Sequence, residues 1–190
     1  MIVRILCIAT LLFAAAARAD EGTPRVVMAT AEGDIEIELY LDKAPVTAGN
    51  FLQLVDNGAL DGASFYRVVN YENDRGSPKI EVIQGGLGDD GEGFDTIDHE
   101  TTEQTGIRHT DGVISMARGD VGTASTEFFI CIGDQPGLDY GQMRNPDGQG
   151  FAAFGRVVRG MELVRKIHES PADGQKLTPP IRIQRAVRRH

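Results

Sequence analysis

Tryptophan is absent from this chain, and tyrosine occurs only four times. Carboxylates are plentiful enough for glycosidase chemistry, but a sugar cleft floored by aromatic rings is not indicated. Cysteine is nearly as scarce, with Cys7 and Cys131 alone. Positive charge is also in short supply: 19 Lys and Arg stand against 28 Asp and Glu, a formal net charge of −9. Phosphate binding needs a basic surface, so the balance argues against nucleic acid as the main partner. Acidity of this size serves solubility and biases encounters. Long apolar runs are missing except for residues 5–17, a stretch too short to span a bilayer comfortably.

That run follows a short basic start, residues 1–4, and ends in Ala17-Arg18-Ala19, small residues where a signal peptidase cuts. Residues 1–19 therefore read as a secretory signal peptide, and residues 20–190 as one domain. Cys7 lacks the context of a lipid-anchor site, so the expectation after cleavage is a chain free of the membrane. The same cleavage leaves Cys131 alone, and no internal disulfide can form. Its setting, FFICIG, is a hydrophobic strand in which cysteine behaves as a small buried apolar group. The leader says only that the protein is exported, with the periplasm expected and full secretion as the alternative.

Periodicity supplies the elements. In GDIEIELYL (33–41), Ile35, Ile37, Leu39 and Leu41 alternate with polar residues, the mark of a strand with one dry and one wet face. RVVMAT (25–30) precedes it across a hairpin turn at Glu32-Gly33. Further strands are expected at 64–70, 80–84, 112–117, 127–132, 152–158 and 181–187. Residues 44–57 change to a helical period, with Pro45 at the start and Asn57-Gly58 as the stop. A second helix is expected at 161–168. Glycine-rich stretches at 85–110 and 133–150 interrupt the pattern. Eight short strands and two helices fit a mainly β fold, a closed eight-stranded antiparallel barrel capped by two α-helices. Such a narrow barrel is filled by its own side chains, so a substrate must bind outside it.

Common catalytic signatures fail. No G-x-S-x-G elbow is present. HETTE (99–103) puts Glu103 where a zincin's second His would stand, in a Thr-rich and poorly helical stretch. DDGEGFD (89–95) lacks the spacing of an EF-hand loop and reads as a solvated acidic loop. No metal site and no cofactor is expected. What stands out is SFYRVVN (64–70), where strict alternation puts Arg67 on the face of Phe65 and Val69. On the strand alone, an edge gatekeeper is the plainer reading of that charge.

The neighbouring motifs change the balance. FYRVV, IQGG, GVISMAR, STEFFI and FAAFGRVVRGM occur in this order across the chain, and together they resemble the cyclophilin family of peptidyl-prolyl cis-trans isomerases. The resemblance implies the same eight-stranded barrel and an activity: rotation about X–Pro bonds, with no covalent intermediate. It implies that Arg67 is catalytic. It places Val82, Phe129, Leu138 and Phe151 around the proline ring, Gln84 near the carbonyl before proline, and Ala117, Arg118 and Gly119 alongside the peptide. Phe128 and Phe129 are adjacent on a strand and face opposite sides, so one enters the core and the other the groove. The implied partners are extended proline-containing polypeptides, bound by a monomer; the alternative is a cyclophilin-like peptide-binding module or chaperone with weak turnover.

Several positions depart from the family. NYENDRGSPK is inserted between Arg67 and Gln84. Glu81 falls where a pocket Phe is expected, and Tyr71 is a candidate replacement for that wall. Glu127 stands where many members carry Gln, and both Glu81 and Glu127 are placed to pair with Arg67. Gly137 replaces the Trp that some members have and that is associated with tight cyclosporin binding. Phe151 occupies a position that is His in others.

Overall fold

A computed structural model describes residues 23–189; the expected leader, residues 1–19, lies outside them. Nine strands are described: β1 (Arg25–Thr30), β2 (Gly33–Leu39), β3 (Ser64–Val69), β4 (Val82–Gly86), β5 (Val113–Met116), β6 (Phe128–Cys131), β7 (Ala152–Arg159), β8 (Ala172–Asp173) and β9 (Lys176–Arg189). They run in the order β1-β2-β7-β5-β6-β4-β3-β9, and β9 pairs back onto β1. The result is a closed eight-stranded antiparallel barrel, with the two-residue β8 folded onto β9 as a hairpin annex. Closure removes the long unpaired edges that an open sheet would present.

Side-chain alternation fills the interior. Val26, Met28, Ile35, Ile37, Leu39, Ile83, Ile114, Phe154 and Ile183 are fully buried in one core. Phe51, Phe65 and Phe128 meet there edge to face, with centroids 5.5 Å and 5.8 Å from Phe128, an orientation that aromatic quadrupoles favour. Helix α1 (Pro45–Asp56) closes one end, burying Phe51, Leu52, Leu54 and Val55. Its first residue is proline, whose missing N–H belongs to the unbonded first turn anyway. Ala44 offers no side-chain cap. The Glu100 carboxylate comes from a distant loop instead, accepting from Val46 N at 3.1 Å and from Thr47 N and Oγ1 at 2.7 Å. A negative charge there also suits the helix dipole. The second capping helix, α3 (Met161–His168), buries Leu163, Val164 and Ile167.

Several elements depart from the sequence expectation: β8 is not among the expected strands, and β9 begins at Lys176 rather than at 181. The HETTE region is not devoid of helix: α2 (Thr102–Thr105) is a single turn, held by a capping box in which Thr101 and Gln104 satisfy each other's backbone. The strand expected at 80–84 runs 82–86 instead. Ile80 N is drawn away by Asp74 Oδ2 at 2.9 Å, so Ile80 stays in the preceding loop.

A second, smaller apolar layer lies on the outside of the wall formed by β3, β4 and β6. It consists of Val69, Ile80, Val82, Phe129, Cys131 and Leu138, with Ala117 and Phe151 packed against it. This outer layer, more than the barrel core, determines where the site sits.

Candidate active site

The outer layer floors a cavity of about 240 Å³ lined by Val82, Phe129, Leu138 and Phe151, together with Ile80, and bordered by Arg67, Gln84, Ala117 and Arg118. Phe129 meets Phe151 edge to face at 5.3 Å. Phe128, its chain neighbour, points into the barrel core, so the two phenylalanines do face opposite ways. Phe129 also stacks on His109, at 6.0 Å between centroids. His109 is wholly buried, with Nδ1 2.8 Å from Asp139 Oδ1 and Nε2 3.0 Å from Ser115 Oγ. Burial depresses the His109 pKa, while Asp139 is lowered by its hydrogen bonds against its own burial. A neutral imidazole therefore donates from Nδ1 to a carboxylate and accepts from the serine. Cys131 lies fully buried in the same layer, its thiol pushed well up by burial, which leaves it unsuited to nucleophilic work.

Arg67 reaches this face by a route that strict alternation does not give. Across the β3–β4 pair, Phe65 faces Gly85 and Arg67 faces Gln84, leaving Tyr66 as the extra residue of a β-bulge. Phe65 is accordingly inside the barrel, fully buried, while Tyr66, Arg67 and Val69 lie outside it. The expectation that Arg67 shares a face with Phe65 is therefore corrected, and its sharing a face with Val69 stands. A bulge re-aims one side chain while sparing the rest of the strand.

The guanidinium is half-buried and held by two neutral amides. Nε and Nη2 donate to Gln175 Oε1 at 2.9 and 2.7 Å, and Nη1 donates to Gln84 Oε1 at 2.6 Å. Among the described residues, one N–H on each terminal nitrogen is left unspent. Gln175 Nε2 in turn donates to Asn73 O at 3.1 Å. On the other side, Gln84 Nε2 donates to the Tyr66 hydroxyl at 2.8 Å, and that hydroxyl donates to the Glu127 carboxylate. Burial, reinforced by Glu127, pushes the Tyr66 pKa up, so the phenol stays protonated. The guanidinium is charged at any working pH even though burial lowers its pKa.

Neither acidic residue pairs with Arg67. Glu127 is occupied by Tyr66, by Gly88 N at 2.9 Å and by Thr126 Oγ1 at 3.2 Å. Glu81 stands outside the cavity lining, and Ile80 supplies that wall. Tyr71 is 51% exposed and absent from the lining. Amide partners position Arg67 without neutralising it, which a carboxylate partner would do.

The Arg118 side chain is fully engaged within the protein: it spends all five donors on Gly150 O, Gly119 O and the Asp147 carboxylate, and it sits 5.4 Å over the Phe151 ring. Its cation thus braces the 139–150 loop behind Phe151. Ala117, Arg118, Gly119, Gln84 and Glu127 also border a second, open cavity of about 560 Å³. Glu127 packs against Gly86, at φ +147°, where a Cβ would meet its carboxylate. The sequence reading missed Tyr66, Ile80, Arg144, Asn145 and Gln175. Tyr66 and Ile80 flank recognised motifs, whereas Gln175 is 108 residues from Arg67 and carried no local signal.

A closed barrel with an external apolar slot, and an arginine fixed beside it, defines a class of β-barrel proteins whose site lies on the outer wall. The family model of cyclophilin-type peptidyl-prolyl cis-trans isomerases matches residues 25–188, and the chain belongs to that family of isomerases. It is 36% identical over 146 residues to peptidyl-prolyl cis-trans isomerase A of Dickeya dadantii, covering 76% of this chain and 70% of that one. It is 35% identical over 155 residues to a peptidyl-prolyl cis-trans isomerase of Acinetobacter baylyi, covering 77% and 72%. The crystal structure of a Cryptosporidium parvum cyclophilin type peptidyl-prolyl cis-trans isomerase, in the presence of the dipeptide Ala-Pro, superimposes with a TM-score of 0.69. That match covers 87% of this chain and 99% of the other at 24% identity, a likeness of fold.

Proposed function

We propose that this isomerase accelerates X–Pro rotation in exported proteins as they fold, with Arg67 as the catalytic residue. The reaction breaks no covalent bond. Its barrier of about 18–20 kcal/mol is the loss of amide resonance, and the uncatalysed exchange takes tens to hundreds of seconds. As the amide twists, the prolyl nitrogen becomes pyramidal and its lone pair becomes available. An unspent Arg67 N–H can then donate to it, and only then, so the contact favours the transition state over either ground state. The ring is held by Ile80, Val82, Phe129, Leu138 and Phe151; at about 0.8 kcal/mol per buried methylene, ring burial outweighs a typical net hydrogen bond of about 1 kcal/mol. Gln84 and the backbone of Ala117 to Gly119 meet the peptide before the proline, which suits tolerance of many sequences.

The observation that carries this reading is the Arg67 guanidinium, pinned by Gln84 and Gln175 at the rim of the apolar slot with two donors unspent. In a protease-coupled assay on an X-Pro test peptide, Arg67→Ala is expected to lower kcat/KM by about a hundredfold or more, roughly 3 kcal/mol of lost transition-state binding. An unchanged rate removes Arg67 from the mechanism, and a wild type without turnover leaves a peptide-binding module. Export rests on the leader pattern. Terminal sequencing of the protein recovered from the periplasm should find Asp20 first; an intact Met1 in the cytoplasm would sink that part. The working form is a monomer acting on proline-containing chains, without cofactor, nucleic acid or membrane.

A further inference from the structure

The slot opens at its two ends into different cavities. At one end it shares Gln84, Ala117 and Arg118 with the large open cavity described above. At the other it shares Arg67 and Arg144 with a cavity of about 360 Å³ that also takes in Asp74, Arg75 and Gln175. The family resemblance puts Gln84 beside the carbonyl that precedes proline. On that placement a linear peptide lying across the slot would run past Gln84 towards Arg67, which brings the residue after proline to this second cavity.

The cavity is built by the inserted loop. Asp74 is buried and accepts four hydrogen bonds, from Gly76 N and Ile80 N at 2.9 Å each and from both terminal nitrogens of Arg144 at 2.8 and 2.9 Å. Arg144 also donates to Pro78 O at 3.0 Å. This clasp ties the loop after β3 to the loop before β7. It fixes Ile80 in the slot wall and seats the Pro78 ring where a side chain on Gly137 would stand. The charges around the cavity are unequal. Three guanidinium groups border it, from Arg67, Arg75 and Arg144, against the single carboxylate of Asp74. Arg67 is engaged by amides and Arg144 by Asp74, whereas the Arg75 side chain lines the cavity with no hydrogen bond or ion pair among the described residues.

We propose that this cavity is a subsite for the residue following proline and that Arg75 makes it select an acidic side chain. The inference deepens the isomerase reading and rests on it. Its sign runs against the molecule as a whole, because a chain of net charge −9 on its own disfavours acidic peptides. Any preference for them must come from a local field, and among the described residues the only unpartnered cation lining the cavity is Arg75.

The test uses three peptides that differ only after proline, with Glu, Gly or Lys, assayed on the full mature protein at low salt. The expected order of kcat/KM is Glu, then Gly, then Lys, expressed in KM. An exposed ion pair accounts for up to about a fivefold step. Arg75→Ala should bring the three together while leaving the Gly peptide unchanged, Arg75→Glu should reverse the order, and 0.5 M salt should level it. The exposed position of Arg75 lets either variant fold. A wild type that prefers Lys, or a Glu-to-Lys ratio untouched by Arg75→Glu, overturns the subsite. If no peptide is turned over, the isomerase reading fails instead, and the same ratios measured as affinities by calorimetry still decide the subsite.

Discussion

At the scale of single residues, Gln175 is as informative as Arg67. A guanidinium on a flexible stem can be held by packing, by a carboxylate or by neutral acceptors. Here Gln175 takes two of its donors and Gln84 a third, fixing the plane of the fork while leaving its charge intact. Gln175→Ala removes the acceptor for Nε and Nη2 without touching the apolar slot. The expected result is a fall in kcat of about tenfold, close to 1.4 kcal/mol, with KM little altered and the thermal midpoint nearly unmoved. A fall in KM-dependent rates alone would show that Gln175 serves binding. Gln175→Asn, whose amide oxygen sits one methylene short, should recover only part of the loss. Arg67 was readable from its flanking motif. Gln175 was not, because it lies on the β8–β9 hairpin and meets Arg67 only once β9 pairs with β3.

At the scale of elements, the bulge in β3 and the buried triad behind Phe129 matter most. Alternation along SFYRVVN predicts faces correctly only while the ladder is regular. One extra residue at Tyr66 reverses the relation between Phe65 and Arg67, and nothing in the local composition announces it. Most strands of the barrel were otherwise legible as short apolar, β-rich segments; alternation is clear in β1, whereas β5 and β6 are buried at every position. Strand β4 moved by two residues because a side chain, Asp74, competes for the backbone of Ile80. The His109 triad joins β5 to the loop carrying Asp139, and so supports the floor of the slot. His109 is neutral in the folded protein because burial lowers its pKa below the ordinary 6.5. As pH falls through that value, the unfolded chain gains a proton that the folded chain refuses. The corresponding stability is fully present above about pH 6.5 and declines below it. Urea midpoints should therefore drop between pH 7.5 and 5.5, and His109→Gln should make that slope shallower. A slope unchanged by the substitution would assign the titration elsewhere.

At the scale of the whole molecule, the sequence disclosed the architecture more fully than the site. The barrel follows from eight segments whose apolar side chains have nowhere else to go, so its order survives small errors in boundaries. The site depends on loops, where register is set by individual hydrogen bonds rather than by repetition. That is why Ile80 replaced Glu81 in the wall, and why Arg144 and Asn145 came to border the slot without any motif to mark them.

The pairing of β1 with β9 places Arg25 opposite Arg189. A brief tether between those neighbours would turn the barrel into an endless loop without disturbing a single ladder. Fresh termini could then be cut at an exposed turn such as Ala31-Glu32, between β1 and β2, which borders neither the slot nor the cavities beside it. For this fold the linear order of strands is a convention of synthesis, and rotase chemistry should be indifferent to where reading begins.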